Sequence, residues 1–268
     1  YRGSNMSDNK PVKADGSMDD DLPVPPDCLF FTAHKTMKPD AIFGMLRLAI
    51  GPGLDVVRDT FSSALRDGAA AAIFKSTSKE LQLLPPITIF LEVKSKVNAK
   101  VMLDDLKRSL RTQYMQPEPP ETTHENIPIG HIRLMLKLGI PADISYAFVR
   151  DDLLVMSTDV SALKAVIDTS LGKRTSLAKG GQYAGVLEPI SSGSNGRIFL
   201  NLRYIATMTK RAAKIYAWQA KITGDRNAEK FAGDLSGNVS ALETWHYLGI
   251  AFNSDGNRAN VRLMMNSE

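Results

Sequence analysis

Apolar and polar positions along this chain follow two periods, and the places where one gives way to the other outline its elements. Residues 28–33 (CLFFTA) are a short apolar run, read as a buried strand. Ile42, Met45, Leu46 and Ala49 then recur at the spacing of one helix face, and Gly51-Pro52-Gly53 breaks that helix. Val57, Phe61 and Leu65 align on a second helix over 54–66, with Gly68 expected as its C-terminal cap. Residues 69–76 and 87–94 read as strands. Ala99, Leu103, Leu106, Leu110 and Tyr114 predict a helix over 99–114, with Asn98 as its cap and Asp104 paired with Arg108 on its outer face.

Beyond a Pro- and Glu-rich loop at 116–127, strict alternation over 129–138 predicts a strand. Residues 144–149 and 153–157 read as a hairpin turning on Arg150-Asp151-Asp152, and a helix over 160–171 follows with Ser157, Thr158 or Asp159 as cap. A short helix at 176–189, a polar loop at 191–196, a strand at 197–202 and a long helix at 204–222 come next. The polar stretch 223–237 reads as a helix-to-loop transition. The chain ends in a hairpin, 245–253 and 258–265, around an Asp255-Gly256 turn signal. Strand, helix and hairpin thus occur twice. The expected fold is α+β: mixed, mainly antiparallel sheets, helices on one face, and two similar halves at about 28–127 and 128–268. Residues 1–27 read as a polar leader, because so few apolar side chains cannot offset the entropy of ordering them. They contain no apolar core of the kind a signal peptide carries.

Composition narrows the function classes. The chain has 268 residues, is 43% hydrophobic and carries a net charge of +4. Its basic residues are dispersed, unlike the concentrated stripe of a nucleic-acid binder. No apolar run reaches the roughly 20 residues of a membrane span. The single cysteine, Cys28, excludes an internal disulfide, and a small buried side chain is expected there rather than a nucleophile. His34, His124, His131 and His246 stand at no metal-ligand spacing in sequence. Asp151 and Asp152 are adjacent, which suits a turn better than a proton-sharing pair, and Asp19-Asp20-Asp21 suits a solvated linker better than a cation site. Neither glycine-containing loop has the form that cradles a phosphate. No catalytic residue, cofactor or metal ligand is predicted.

One surface stands out. On the helix 204–222, Lys210, Lys214 and Lys221 share a face with Arg211 nearby, while Ile205, Met208, Ala212, Ile215 and Trp218 form an apolar stripe. The expectation is a core-packed helix with a solvated basic face. The alternative is a surface for an anionic membrane or an acidic partner, carried by Lys210, Arg211, Lys214, Trp218 and Lys221.

Several stretches carry a family likeness: ITIFLEVK at 87–94 before a helix, ISYAFVRDDLLVMST at 144–158, LKAVI at 163–167, Ser176-Leu177, Tyr183, and IFLNL at 198–202. Over roughly 29–265 the chain resembles a widespread bacterial family known only as a domain of unknown function, with exported or membrane-anchored members. The resemblance implies the fold type and an extracytoplasmic setting, with anchoring by a segment outside these residues, and attaches no reaction. The expected function is non-enzymatic binding or scaffolding, with a protein or another envelope component as partner. A carrier of a lipid or other apolar ligand in a sheet–helix cavity is the second expectation, and a hydrolase with an unrecognised site the third.

Overall fold

The computed structural model describes residues 22–50, 52–75, 85–114, 119–135, 141–191, 193–254 and 259–267. Most of the expected leader, including Asp19-Asp20-Asp21, lies outside the described residues, as do 136–138 of an expected strand and the turn at 255–257.

Among the described residues, ten strands form one antiparallel sheet. In chain order they are Cys28–His34 (β1), Leu65–Phe74 (β2), Ile87–Val93 (β3), Thr122–His124 (β4), Ile127–Met135 (β5), Pro141–Arg150 (β6), Leu153–Ser157 (β7), Gly196–Asn201 (β8), Tyr247–Ser254 (β9) and Ala259–Asn266 (β10). Their order across the sheet is β10-β9-β8-β1-β2-β3-β7-β6-β5-β4. The two strand–helix–hairpin segments stand back to back across the β1–β8 pair, where Thr32 faces Ile198. In each, the first strand lies beside the hairpin that follows it.

The helices are Pro39–Ile50 (α1), Arg58–Ala64 (α2), Lys96–Tyr114 (α3), Val160–Ser170 (α4), Gly181–Leu187 (α5), Leu202–Thr223 (α6) and Arg226–Val239 (α7). The α+β class is as expected, but the helices cover both faces of the sheet rather than one. Successive strand residues point to opposite sides. Phe90, Leu153 and Val155 share a core with Leu163 and Ile167 of α4 and Val186 of α5. Leu91 and Leu154, their neighbours in sequence, share the other core with Phe43, Phe61 and Leu103 of α1, α2 and α3. The close approach of α5 to β9 requires Gly249: a Cβ there would sit 2.4 Å from the Val186 carbonyl oxygen.

Several local expectations are corrected. Leu22 and Val24, at the end of the stretch read as leader, are buried in the first core. The helix expected over 54–66 is split into a 3-10 turn, Pro52–Val57, and the short α2, and Gly68 lies inside β2 at φ +104° instead of capping a helix. The helix α3 starts earlier than expected, and the Ser95 hydroxyl, rather than Asn98, accepts a bond in its first turn, from the Asn98 N–H at 3.1 Å. Arg108 pairs with Asp105, not Asp104. Residues expected as loop contain β4, and the polar stretch 223–237 falls mainly within α7, capped by the Asp225 carboxylate on the N–H groups of Asn227 and Ala228. For α4 the cap is Asp159, accepting from Ser161 and Ala162 at 2.6 and 3.0 Å. Asp159→Ala is expected to lower stability by about 1 kcal/mol, with Asp159→Asn nearly neutral. Chemical denaturation of the two variants side by side checks this, since equal losses would mean that the cap bonds are not the cause.

Candidate functional site

An apolar opening lies between the sheet and the α1–α3 layer. It follows from how these elements are built. Helix α1 and α2 bring Phe43 and Phe61 together edge to face at 5.6 Å, with Leu54 and Val57 of the 3-10 turn beside them. Met102 and Leu106, one turn apart, are presented by α3. Ile89 and Leu91 of β3, Ile144 of β6 and Met156 of β7 form the floor, because alternation points them to this side. Between these walls is a cavity of about 70 Å³.

Among the described residues, no charged group lines the cavity. Its polar members, Ser157 and Thr158, are engaged elsewhere: the Ser157 hydroxyl accepts from Thr88 at 2.8 Å and from the Asp159 N–H at 3.2 Å, and the Thr158 hydroxyl accepts from the Ile87 N–H at 3.0 Å. A water molecule needs two to four polar partners to be held inside a protein. This space offers almost none, so it favours an apolar occupant over a hydrated one.

The predicted surface on α6 is arranged differently from the expectation. Ala206, Ala213 and Ala220, seven residues apart, are buried, and α6 packs chiefly on α7 and on the 3-10 turn Ser240–Thr244. The apolar stripe expected to enter the core faces the other way except at Ile205, which is half-buried. Met208, Ile215, Trp218 and Ile222 are all exposed, Trp218 to 64% and Ile222 to 66%. Arg211, Lys214 and Lys221 are exposed along the flank of that stripe, while Lys210 is turned back to Glu243 at 2.6 Å. Phe231 of α7 continues the apolar surface and meets Tyr216 edge to face at 6.4 Å.

The remaining candidates divide into packed residues and one polar cluster. The Cys28 thiol is buried and donates to the Phe30 carbonyl at 2.9 Å. Burial holds its pKa far above the ordinary thiol range, so it is no nucleophile at neutral pH. His34 lies against Phe252 with ring centres 5.1 Å apart, and burial lowers its pKa toward the neutral form. His131 shares a hydrogen bond with Ser145 at 3.0 Å, and the His246 ring packs edge-on against Tyr247. Asp151 and Asp152 occupy the β6–β7 turn and pair separately, with Lys96 and Arg150, each at 3.4 Å.

His124 meets in the fold a partner that its sequence neighbours do not supply. At the tip of the β4–β5 hairpin its Nε2 lies 2.8 Å from Asp168 Oδ1 of α4. Glu125, at φ +52° in the turn, completes a group whose donor atoms lie within 4.8 Å of one another. The Lys173 ammonium already donates to the Glu125 carboxylate. The cluster therefore carries its own counter-ion and ties the hairpin to the end of α4. His124 and Glu125 are neighbours in sequence, but Asp168 is 44 residues from His124, too far for a spacing rule to have joined it to them.

Comparison with family models, with curated proteins and with solved structures finds no match to this chain.

Proposed function

We propose that this chain is a binding protein without catalytic activity, whose α1–α3 cavity takes a small or slender apolar molecule. The observation that carries the reading is the lining: hydrocarbon and aromatic side chains from α1, the 3-10 turn, α2, α3 and four strands enclose a space whose polar atoms are already bonded to the protein. Such a site gains affinity from apolar surface removed from water, about 25 cal/mol per Å². Among the described residues its lining has no titratable group with which to activate a nucleophile or protonate a leaving group. A setting outside the cytoplasm is part of the proposal and is supported by the sequence resemblance alone.

Methyl NMR on the methionines tests the site. Met102 and Met156 line the cavity, whereas Met208 and Met265 are exposed elsewhere. Titration with benzene, then with alkanes of increasing length, is expected to give saturable shifts at the first pair alone. Leu106→Phe, which fills the space from α3, is expected to remove those shifts while leaving the melting temperature within a few degrees, as for a modest core substitution. Shifts that never saturate, or that Leu106→Phe leaves unchanged, would sink the proposal.

A further inference from the structure

We propose that α6 docks the protein on the surface of an anionic lipid bilayer, lying in the plane of the interface with Met208, Ile215, Trp218 and Ile222 turned inward. This goes beyond the cavity reading and does not depend on it. A helix of this length is about 33 Å long at 1.5 Å per residue. Three side-chain sets divide its circumference. The alanine seam is buried, the large apolar residues face the opposite side, and the basic residues flank them.

The charge pattern selects the occupant. The 22 residues of α6 hold Arg203, Lys210, Arg211, Lys214 and Lys221, and neither aspartate nor glutamate. Lys210 is committed to Glu243, which leaves the exposed cations on the outer part of the helix. A second copy seated on the same stripe would bring two such sets of cations together, with no carboxylate on either helix to balance them. Anionic headgroups balance them directly, and Trp218 and Tyr216 have the amphipathic rings that settle at a membrane–water boundary. No helix among the described residues is long and apolar enough to cross a membrane, so the arrangement fits lying on the surface and not spanning it.

The test is flotation of the full chain with vesicles of equimolar phosphatidylcholine and phosphatidylglycerol, compared with phosphatidylcholine alone, at low and high salt. Trp245→Phe makes Trp218 the sole tryptophan and its emission the local readout. The chain is expected to float with the anionic vesicles only, with a blue shift of Trp218 that high salt reverses. K214E/K221E is expected to weaken binding by at least about tenfold, since each basic side chain near such a surface contributes roughly a factor of five. Ile215→Ser with Ile222→Ser is expected to abolish the blue shift. All four positions are exposed, so circular dichroism should show unchanged helix content. The proposal is overturned by absence of flotation on anionic vesicles, by equal binding to neutral ones, or by K214E/K221E binding as wild type does. It is also overturned if the chain self-associates and shields Trp218 before any vesicle is added, which would make a second copy the occupant.

Discussion

Phe90→Ala is expected to cost about 3–5 kcal/mol, a large share of the 5–15 kcal/mol that holds a typical domain together. Phe90 has no solvent exposure and sits on β3, between β2 and β7. Its cross-strand partners are Ala70 and Val155. Strand β2 runs through four consecutive alanines, Ala69 to Ala72, so on this face the ring fills space that small side chains leave open. Those alanines cannot reach into a void, so little of the lost packing is recovered by collapse. Ile89 is the useful control. It is one residue away but faces the cavity, where packing is already incomplete. Ile89→Ala is expected to cost less than Phe90→Ala although both lose buried hydrocarbon. Urea unfolding of the two variants decides the matter. A Phe90→Ala loss below about 1 kcal/mol, the level of an ordinary surface change, would show that the first core does not depend on this ring.

The same strand shows what the sequence made legible. Residues 87–93 and 153–157 are nearly continuous apolar runs, and such runs belong to strands covered on both sides. Read that way they already implied two helical layers. The single-layer expectation came from counting hairpins and neglecting what their second faces would touch. The expected strands of β1, β3 and β7 and the helix α4 agree with the fold to within about two residues because period, turn residues and caps point the same way there. Helix α7 was hidden for a different reason. Ala228, Phe231, Ala232, Leu235 and Val239 keep helical spacing, but Gly233 and Gly237 interrupt it and lower the apparent propensity. Gly68 was misread because glycine marks a helix end and a strand irregularity equally well. Here the β2–β3 register shifts between Leu65 and Ala69.

The sites were less legible than the elements. The α6 residues could be named from sequence, but not the direction in which they face. A helix with both an alanine seam and a stripe of large apolar residues offers two surfaces for packing. The large residues are the usual choice for a core. In this chain the alanines take the contact with α7, where their small size allows close approach, and the larger residues are left outside. The cavity was expected only as a type of space between sheet and helices. Its walls come from eight elements, and no periodicity within one element reports what another will place opposite it.

Leu22→Ala combined with Val24→Ala is expected to cost about 3–5 kcal/mol, the scale of removing two buried aliphatic side chains. Both residues lie in a stretch whose composition reads as solvated, yet they are 4% and 2% exposed and belong to the first core with Phe31 and Leu163. Two features let so short a segment pack. Pro23 and Pro25 restrict its backbone before folding, which lowers the entropy lost on docking. The Val24 carbonyl then accepts a hydrogen bond from the Leu177 N–H at 2.6 Å, fixing the segment to the turn before α5. The alanine substitutions keep that backbone bond and remove only hydrocarbon, so the expected loss isolates the packing contribution. Pro26→Ala, at an exposed position of the same stretch, is the matched control and is expected to stay within about 0.5 kcal/mol of wild type. Urea unfolding gives the free energies, and hydrogen exchange at Leu177 reports whether the docked segment opens first. Equal stability of the double variant and the control would mean that the segment rests on the fold without supporting it.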